Sequence, residues 1–383
     1  MKIGVFNQSN IKEKRVALVP SNVSKLIKKG YEVQVVANAG VLSGYPDEEY
    51  TQAGADISLD NESMIASSDI LLMVNAKPAA IKPYQEAAKG KILIGMMDPL
   101  MNAEFFSSIK DSALTTLALE LVPRITRAQS MDVLSSMATI AGNKGVILGA
   151  SQSPKLFPLM MTAAGTVKPS RVFIMGVGVA GLQACATAKR LGAVVEAYDI
   201  RPAAREQILS VGAKPVELNI EAEDTETKGG YAKEQSAEFI AKQQAAMASI
   251  LAQQDVVITT AAIPGRKAPI LITTDMVKQM KPGAVIVDLA SETGGNCELT
   301  QSGETVIENG VTIIGDNDLP ASAAYHASQM YGTNLQHLLS LLLDDEGKFN
   351  LDLSDDIIKD IVLTKNGELI NERLHGLLDS NKT

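Results

Sequence analysis

Short apolar runs recur along the chain, set apart by segments whose apolar positions fall at helical spacing. "KIGVF", "EVQVVA", "DILLMV", "KILIGMM" and "ALTTLALEL" read as strands. Between them "PSNVSKLIKKG", "DEEYTQAGA", "AAIKPYQEAAKG" and "NAEFFSSIKDS" read as helices or helical turns, several closed by Gly or bounded by Pro. Strands apolar nearly throughout and separated by helices predict a parallel sheet covered on both faces. A second series begins at "RVFIMGVGVAG" and runs through "VVEAYD", "DVVITTA" and "AVIVDLA" to "VTIIGDN". Two long helical patterns, "SMDVLSSMATIAGNKGVILGASQ" and, after Pro320, "ASAAYHASQMYGTNLQHLLSLLL", join the halves. The expected fold is therefore α/β, with two Rossmann-like, doubly wound parallel-sheet domains joined by long helices. The expected domains are 1–134, completed by 321–383, and 135–320. The polar stretch "EAEDTETKGGYAKEQ", with few apolar anchors and a Gly pair, is expected to be a mobile loop.

Composition narrows the function classes. At 383 residues, 46% hydrophobic and 21% charged, the chain is an ordinary soluble globular protein of two-domain size. A 4% aromatic content without Trp favours aliphatic cores over a carbohydrate-stacking site. The net charge of −9 and the absence of a basic run argue against a nucleic-acid partner. Cys185 and Cys297 lack CxxC spacing and neighbouring His or Cys clusters, so they read as buried thiols and no metal site is expected. "MKIGVFNQ" runs straight into a strand rather than a signal peptide, and no apolar run approaches the ~20 residues of a membrane helix. No direct membrane insertion is expected; docking onto a membrane protein stays open.

The strongest local chemistry is "GVGVAG", which places Gly176, Gly178 and Gly181 in G-x-G-x-x-G spacing. Alone the hexapeptide is weak, but a strand precedes it, a helix follows it, and the next strand ends in Asp199, 18 residues beyond Gly181. Gly176 permits a tight turn, Gly178 lets the backbone approach a pyrophosphate, and Gly181 lets helix and strand pack closely. The Val179 amide would lie at the helix N-terminus, where phosphate is favoured. Asp199, with Ile200 and Arg201 beside it, would meet the adenosine ribose. The acid favours NAD(H) over NADP(H), although a nearby Arg can accept a 2′-phosphate. Ala261 and Ala262, after "DVVI", are small enough to let the adenosine approach, or simply pack beneath a loop. The competing reading of the whole segment is structural glycines with a solvated Asp199, and Met175 reads as core.

The loop "RITRAQSMD" carries two arginines, a glutamine, a serine and an aspartate, but nothing with a reference pKa near neutrality. It can hold a ligand through fixed charge and amides; it is poorly equipped to pass a proton. Its bland reading is a solvated charged turn with Asp132 capping the next helix.

These segments carry a resemblance. "RITRAQSMDVLSS", "MTAAGTV", "GVGVAGLQACATAKRLGA", "GGYAKE", "AIPGRKAPILIT" and "MKPGAVIVDLASETGGNCE" resemble, in order, domain I of proton-translocating NAD(P) transhydrogenase, its NAD(H)-binding component. The resemblance covers roughly residues 1 to 340, with no confident match for "DDIIKDIVLTKNGELINERLHGLL" beyond a final strand-and-tail character. It implies that Arg124, Gln129 and Asp132 hold the nicotinamide end of NAD(H), with Ser135 close behind. Ile125, Thr126, Ser130 and Met131 of the same loop are expected to contact the cofactor. It also implies that Tyr231 is the tip of a loop closing over the nucleotide, with Gly230 beside it. A homodimer is implied, docked on an NADP(H)-binding component and a membrane-spanning component at the cytoplasmic, inner face of a bacterial plasma membrane. Hydride exchange between nicotinamide rings needs positioning rather than a proton acceptor, which would account for the composition of the loop.

The related alanine dehydrogenases are the first alternative. They bind the amino acid through an Arg after the first strand, a Lys at a later strand end and a following His. Here Arg15 remains, expected at the surface or between domains, but Asn75 stands where that Lys is expected and Met97 or Asp98 near the expected His. Lys77 could serve only with a shift in register. His326, His337 and His375 all lie in the last 60 residues and read as satisfied or solvated. A second alternative is a non-catalytic NAD-sensing module that changes partners when the Tyr231 loop closes.

Overall fold

The computed structural model describes residues 1–218, 236–263, 265–344 and 348–380. The expected closing loop, with Gly230 and Tyr231, lies outside the described residues. The chain forms two compact units, 1–137 with 321–383, and 138–320. It leaves the first unit inside the helix Val133–Gln152 and returns to it just after Pro320.

Among the described residues the first unit holds an eight-stranded sheet. From one edge to the other run Glu368–Leu369, Val362–Lys365, Thr115–Ala118, Ile92–Met96, Ile70–Asn75, Lys2–Val5, Glu32–Val36 and Asp56–Ser58. The last six are parallel; the two C-terminal strands are antiparallel. The strand order reverses between Lys2–Val5 and Ile70–Asn75, where doubly wound sheets ordinarily bind ligands. Here Gln8 fills the gap: its Nε2 donates to the Asn75 carbonyl (2.6 Å) and its Oε1 accepts from the Val74 amide (2.8 Å).

The seven-stranded sheet of the second unit runs Lys214–Pro215, Val194–Tyr198, Arg171–Met175, Val256–Thr259, Val285–Asp288, Val311–Ile314 and Thr305–Glu308, antiparallel only at the last pair. Its central strands are largely apolar because both faces are covered. Val172, Ile174, Val256, Ile258 and Val287 pack on one side with Ala184, Cys185 and Ala188 of the helix Val179–Arg190. Phe173, Met175, Val257 and Ile286 pack on the other with Met247, Leu251 and Met276. Cys185 and Cys297 fall in these two cores, and burial raises their thiols to about 12 and about 11, keeping them protonated. The hairpin of Met160–Thr162 and Gly165–Val167 stands apart, all six of its strand residues exposed.

The doubly wound α/β reading is borne out, and the sequence pattern missed what the sheets add at their edges. Asp56–Ser58, Thr305–Glu308 and the C-terminal strands are short and lack a continuous apolar run. Val362–Lys365 is nevertheless integral. Buried Thr364 and Thr116 share a hydroxyl–hydroxyl hydrogen bond (2.8 Å), and the Thr364 hydroxyl donates to the Leu114 carbonyl (2.7 Å). Thr364→Val should therefore leave buried oxygens unpaired and destabilise the first unit by about 1–3 kcal/mol. Denaturant unfolding checks this, and a variant of wild-type stability would show that these hydroxyl bonds contribute nothing.

Candidate functional site

The glycine turn sits at the switch point of the second sheet, between the C-terminal ends of Arg171–Met175 and Val256–Thr259. Gly176 has φ +89°, a left-handed conformation that side chains resist, and a Cβ there would meet Thr260 Oγ1 at 2.9 Å. A Cβ at Gly181 would overlap the Gly176 carbonyl oxygen, so only glycine lets the helix start this close to the strand. At Gly178 no atom lies within 4 Å of a Cβ position. Gly178 and Val179 are exposed at the start of the helix, with its N-terminal amides unobstructed. This open, donor-rich cradle fits a pyrophosphate.

Asp199 follows its strand end, but its carboxylate is already engaged. Oδ2 accepts from the Val177 amide (2.6 Å) and Oδ1 from the Arg201 amide (2.8 Å). The Arg201 guanidinium grips both oxygens at 2.9 Å and also donates to the Val177 carbonyl (3.1 Å). The acid thus ties the glycine turn to the second strand, and Arg201 offsets the charge that the sequence alone assigns to that point. Ile200 is half-buried beside it.

Across the switch point, Thr260 Oγ1 donates to the Gly176 carbonyl (2.8 Å). Ala261 is half-buried and Ala262 exposed. Sequence reasoning missed what holds them: fully buried Asn296 accepts from the Ala261 amide (3.0 Å) and donates to its carbonyl (2.8 Å) and to Pro269 (2.9 Å). Asp288 in turn accepts from the Asn296 and Cys297 amides and from Thr300. The signal available was an Asn immediately after a Gly pair at a strand end. Gly142 was also missed. A Cβ there would overlap the Ala180 carbonyl, so this glycine lets the 133–152 helix lie against the start of the glycine helix.

In the first unit the charged loop forms a six-residue 3-10 helix, Thr126–Met131. Arg124, Ile125, Thr126, Arg127, Gln129 and Ser130 are exposed, whereas Ala128 and Met131 are buried and anchor the turn. Met131 is therefore placed differently from the rest of the expected contact set. Asp132 caps the next helix, accepting from the Ser135 amide (2.9 Å) and hydroxyl (2.6 Å). Arg127, not expected to take part, pairs with Asp355 (2.6 Å).

Arg15 departs from its expected place at the surface or between domains. It is buried within the first unit, where Glu13 takes its guanidinium with both oxygens at 2.8 Å and Met137 Sδ lies at 3.4 Å. Asn75 Oδ1 accepts from the Lys77 amide (3.2 Å), and Met97 is fully buried. His326 and His337 are exposed, and His375 bonds the Leu369 carbonyl (2.7 Å). Among the described residues no cluster of His, Cys, Asp or Glu could hold a metal, and no helix is long and apolar enough to cross a membrane.

Residues 4–141 match the model of the alanine dehydrogenase/PNT N-terminal domain, and residues 145–372 match that of its C-terminal domain. The chain belongs to the alanine dehydrogenase/PNT family. Among members of this family, it is 43% identical to the first part of the NAD(P) transhydrogenase alpha subunit of Rickettsia prowazekii, over 97% of this chain and 96% of that one. The crystal structure of a transhydrogenase from Sinorhizobium meliloti is similar at a TM-score of 0.86 and 42% identity, covering 97% of this chain and 100% of that one. An L-alanine dehydrogenase structure is similar at 0.80 and 25% identity, over 99% of both chains. The alanine dehydrogenase/PNT family thus accounts for both units of the chain.

One group at the strand ends of the first unit titrates near neutrality. Glu120, just before the loop, accepts from the Asp98 amide through Oε1 (2.7 Å), while Oε2 is buried without a partner. Burial, reinforced by the nearby Asp98 charge, raises its carboxyl to about 7. Asp98 itself is held at φ +49°. A carboxyl whose pKa is higher in the folded chain binds its proton more tightly there, so stability falls as pH rises from about 4.5 through about 7. Glu120→Gln keeps an acceptor for Asp98 and removes the titration. Its melting temperature relative to wild type should rise between pH 5 and pH 8; a pH-independent difference would mean that Glu120 ionises normally.

Proposed function

We propose that this chain is the NAD(H)-binding component of a proton-translocating transhydrogenase. The reaction is reversible hydride transfer between NADH and NADP+, the latter held on a partner component. Proton coupling comes from a membrane-spanning partner, and the chain works at the cytoplasmic face of a bacterial plasma membrane through these partners. The observation that carries the reading is at the first unit's strand ends. Asn75 stands where the resemblance expects the Lys of an amino-acid dehydrogenase, and buried Met97 or Asp98 near its expected His, so neither of those two substrate-binding side chains is at its expected position. The 43% identity to a transhydrogenase alpha subunit, against 25% to an L-alanine dehydrogenase, supports the same choice.

In this reading the pyrophosphate rests on the glycine turn at Gly176, Gly178, Val179 and Gly181. The adenosine ribose meets Asp199, Ile200 and Arg201 near Ala261 and Ala262. Arg124, Ile125, Thr126, Gln129, Ser130 and Asp132, with Ser135, would hold the nicotinamide end, with Met131 anchoring their turn from beneath; the Gly230 and Tyr231 contacts that the resemblance implies lie outside the described residues. The nicotinamide supplies the hydride. What the chain contributes is orientation by the Gln129 amide and exclusion of water. A second copy is the proposed partner of the exposed hairpin, which carries Leu159 at 56% and Met161 at 81% exposure and is marginal as an isolated pair of strands.

The deciding experiment mixes the purified chain with a soluble NADP(H)-binding transhydrogenase component and follows hydride exchange with nicotinamide analogues. Exchange is expected, and no alanine-dependent NADH production above background; steady NADH production from alanine would overturn the reading. In single-turnover stopped flow, Gln129→Asn moves the amide by roughly 1 Å and should slow hydride transfer by up to about a hundredfold while leaving NADH binding largely intact. Calorimetry should show NADH binding ahead of NADPH. Asp199→Ala should weaken NADH and narrow that gap by about tenfold, the worth of one lost charge-assisted hydrogen bond; an unchanged ratio would give the selectivity to Arg201.

A further inference from the structure

The six-residue 3-10 helix at 126–131 is longer than such helices usually run, because their hydrogen-bond geometry is poor. Something else must hold its shape. In the first unit the helix Ala324–Leu341 packs alongside it, and Asn334, buried in the middle of that helix, meets it edge on. Asn334 Nδ2 donates to the Ser130 carbonyl (2.8 Å), and its Oδ1 accepts from the Ser136 hydroxyl (2.7 Å). The Ser130 carbonyl lies near the end of the turn, where carbonyls run out of partners along the backbone. Asn is a poor mid-helix residue because its amide competes with the backbone, so its burial there calls for a tertiary role.

The geometry fixes one orientation of the amide. Turned over, Oδ1 would face the Ser130 carbonyl and two acceptors would meet. The platform behind Asn334 is rigid: Tyr331, one turn earlier, is fully buried and donates to the Met73 carbonyl (2.7 Å) in the sheet, and Leu335 and Leu338 are fully buried. A second tie reaches the loop from the same C-terminal portion of the chain, where Asp355 pairs with Arg127 while capping its own helix at the Ile357 amide (2.9 Å). That pair is half-exposed and contributes little. The buried amide is the stronger constraint, one residue from Gln129.

We propose that Asn334 is a positioning residue for hydride transfer, fixing the 126–131 turn so that the exposed Gln129 keeps its place. This rests on the reading that Gln129 orients the nicotinamide. Asn334→Ala should slow single-turnover hydride transfer about ten- to a hundredfold while NADH affinity changes less than threefold. Asn334→Asp, equal in size but placing a second acceptor against Ser130, should be as slow. Ser136→Ala removes one of the two bonds and should cost a few-fold; it carries the test if Asn334→Ala does not fold. Combined with Gln129→Asn, the Asn334→Ala effect should largely vanish, since both act through one side chain; a residue that merely stabilises the fold would give additive losses. Hydrogen exchange at amides 126–131 should quicken in Asn334→Ala with or without a functional partner component. If wild type transfers no hydride, the functional reading fails while this exchange difference still decides the clamp. Wild-type rates, additive losses, or unchanged exchange would each overturn the proposal.

Discussion

At Gly181 the helix Val179–Arg190 passes so close to the Gly176 carbonyl that a Cβ would overlap it. That approach sets the geometry of the whole turn. It brings the first helical amides out beyond the strand end, where a phosphate can meet them. The Gly176 carbonyl accepts from Thr260, and the Val177 amide is delivered to Asp199, so three strand ends are tied to a single backbone stretch. Gly142 extends the same constraint to the helix leading into this unit, since a side chain there would strike the Ala180 carbonyl. The cradle is therefore stiff in its backbone, and a cofactor need not organise it.

The first unit reaches order by a different route. Its strand ends carry no glycine fingerprint, and its switch point is filled by Gln8. Its candidate surface is an exposed turn whose shape comes from residues some 200 positions later in the chain: Asn334 on one side and Asp355 on the other. The C-terminal segment has no active-site signature of its own. It completes the sheet through Val362–Lys365 and braces the turn, which gives a physical reason for this unit to be built from both ends of the chain.

Legibility in the sequence followed the range of the interactions. The central parallel strands could be read because each is a nearly continuous apolar run, and the glycine turn because strand, turn, helix and acid all lie within one stretch of chain. Asn296 and Asn334 could not be assigned in advance, since the amide of each matters only through a carbonyl that folding brings to it from elsewhere. Nothing in "ALTTLALELVP" says that one oxygen of Glu120 is buried without a partner. Arg15 was misplaced for a related reason: nothing in "KEKRVALVP" says that Glu13 folds back to meet it inside the unit. Asp56–Ser58 and Thr305–Glu308 escaped because so short an edge strand carries no run of apolar residues, while the final strand, legible only as strand-like, is held in place by a threonine pair that no hydrophobic pattern shows.

The proposed reaction and the arrangement of charge fit together on physical grounds. The Arg127 guanidinium holds the Asp355 carboxyl below its ordinary range, so that pair presents a constant field and a constant hydrogen bond across the neutral range. A hydride passing between two nicotinamide rings leaves no proton to be collected, and a site built from such pairs and amides offers none a home. Glu120 is the exception that tests this logic, a carboxyl near its titration point at the base of the loop. Its bonded oxygen faces the backbone of Asp98 and its other oxygen is buried without a partner, so its ionisation bears on the stability of the fold. Any pH dependence it brings to the chemical step would then act through the shape of the 97–99 backbone and the loop that follows Glu120, and would appear in stability at the same pH as in rate.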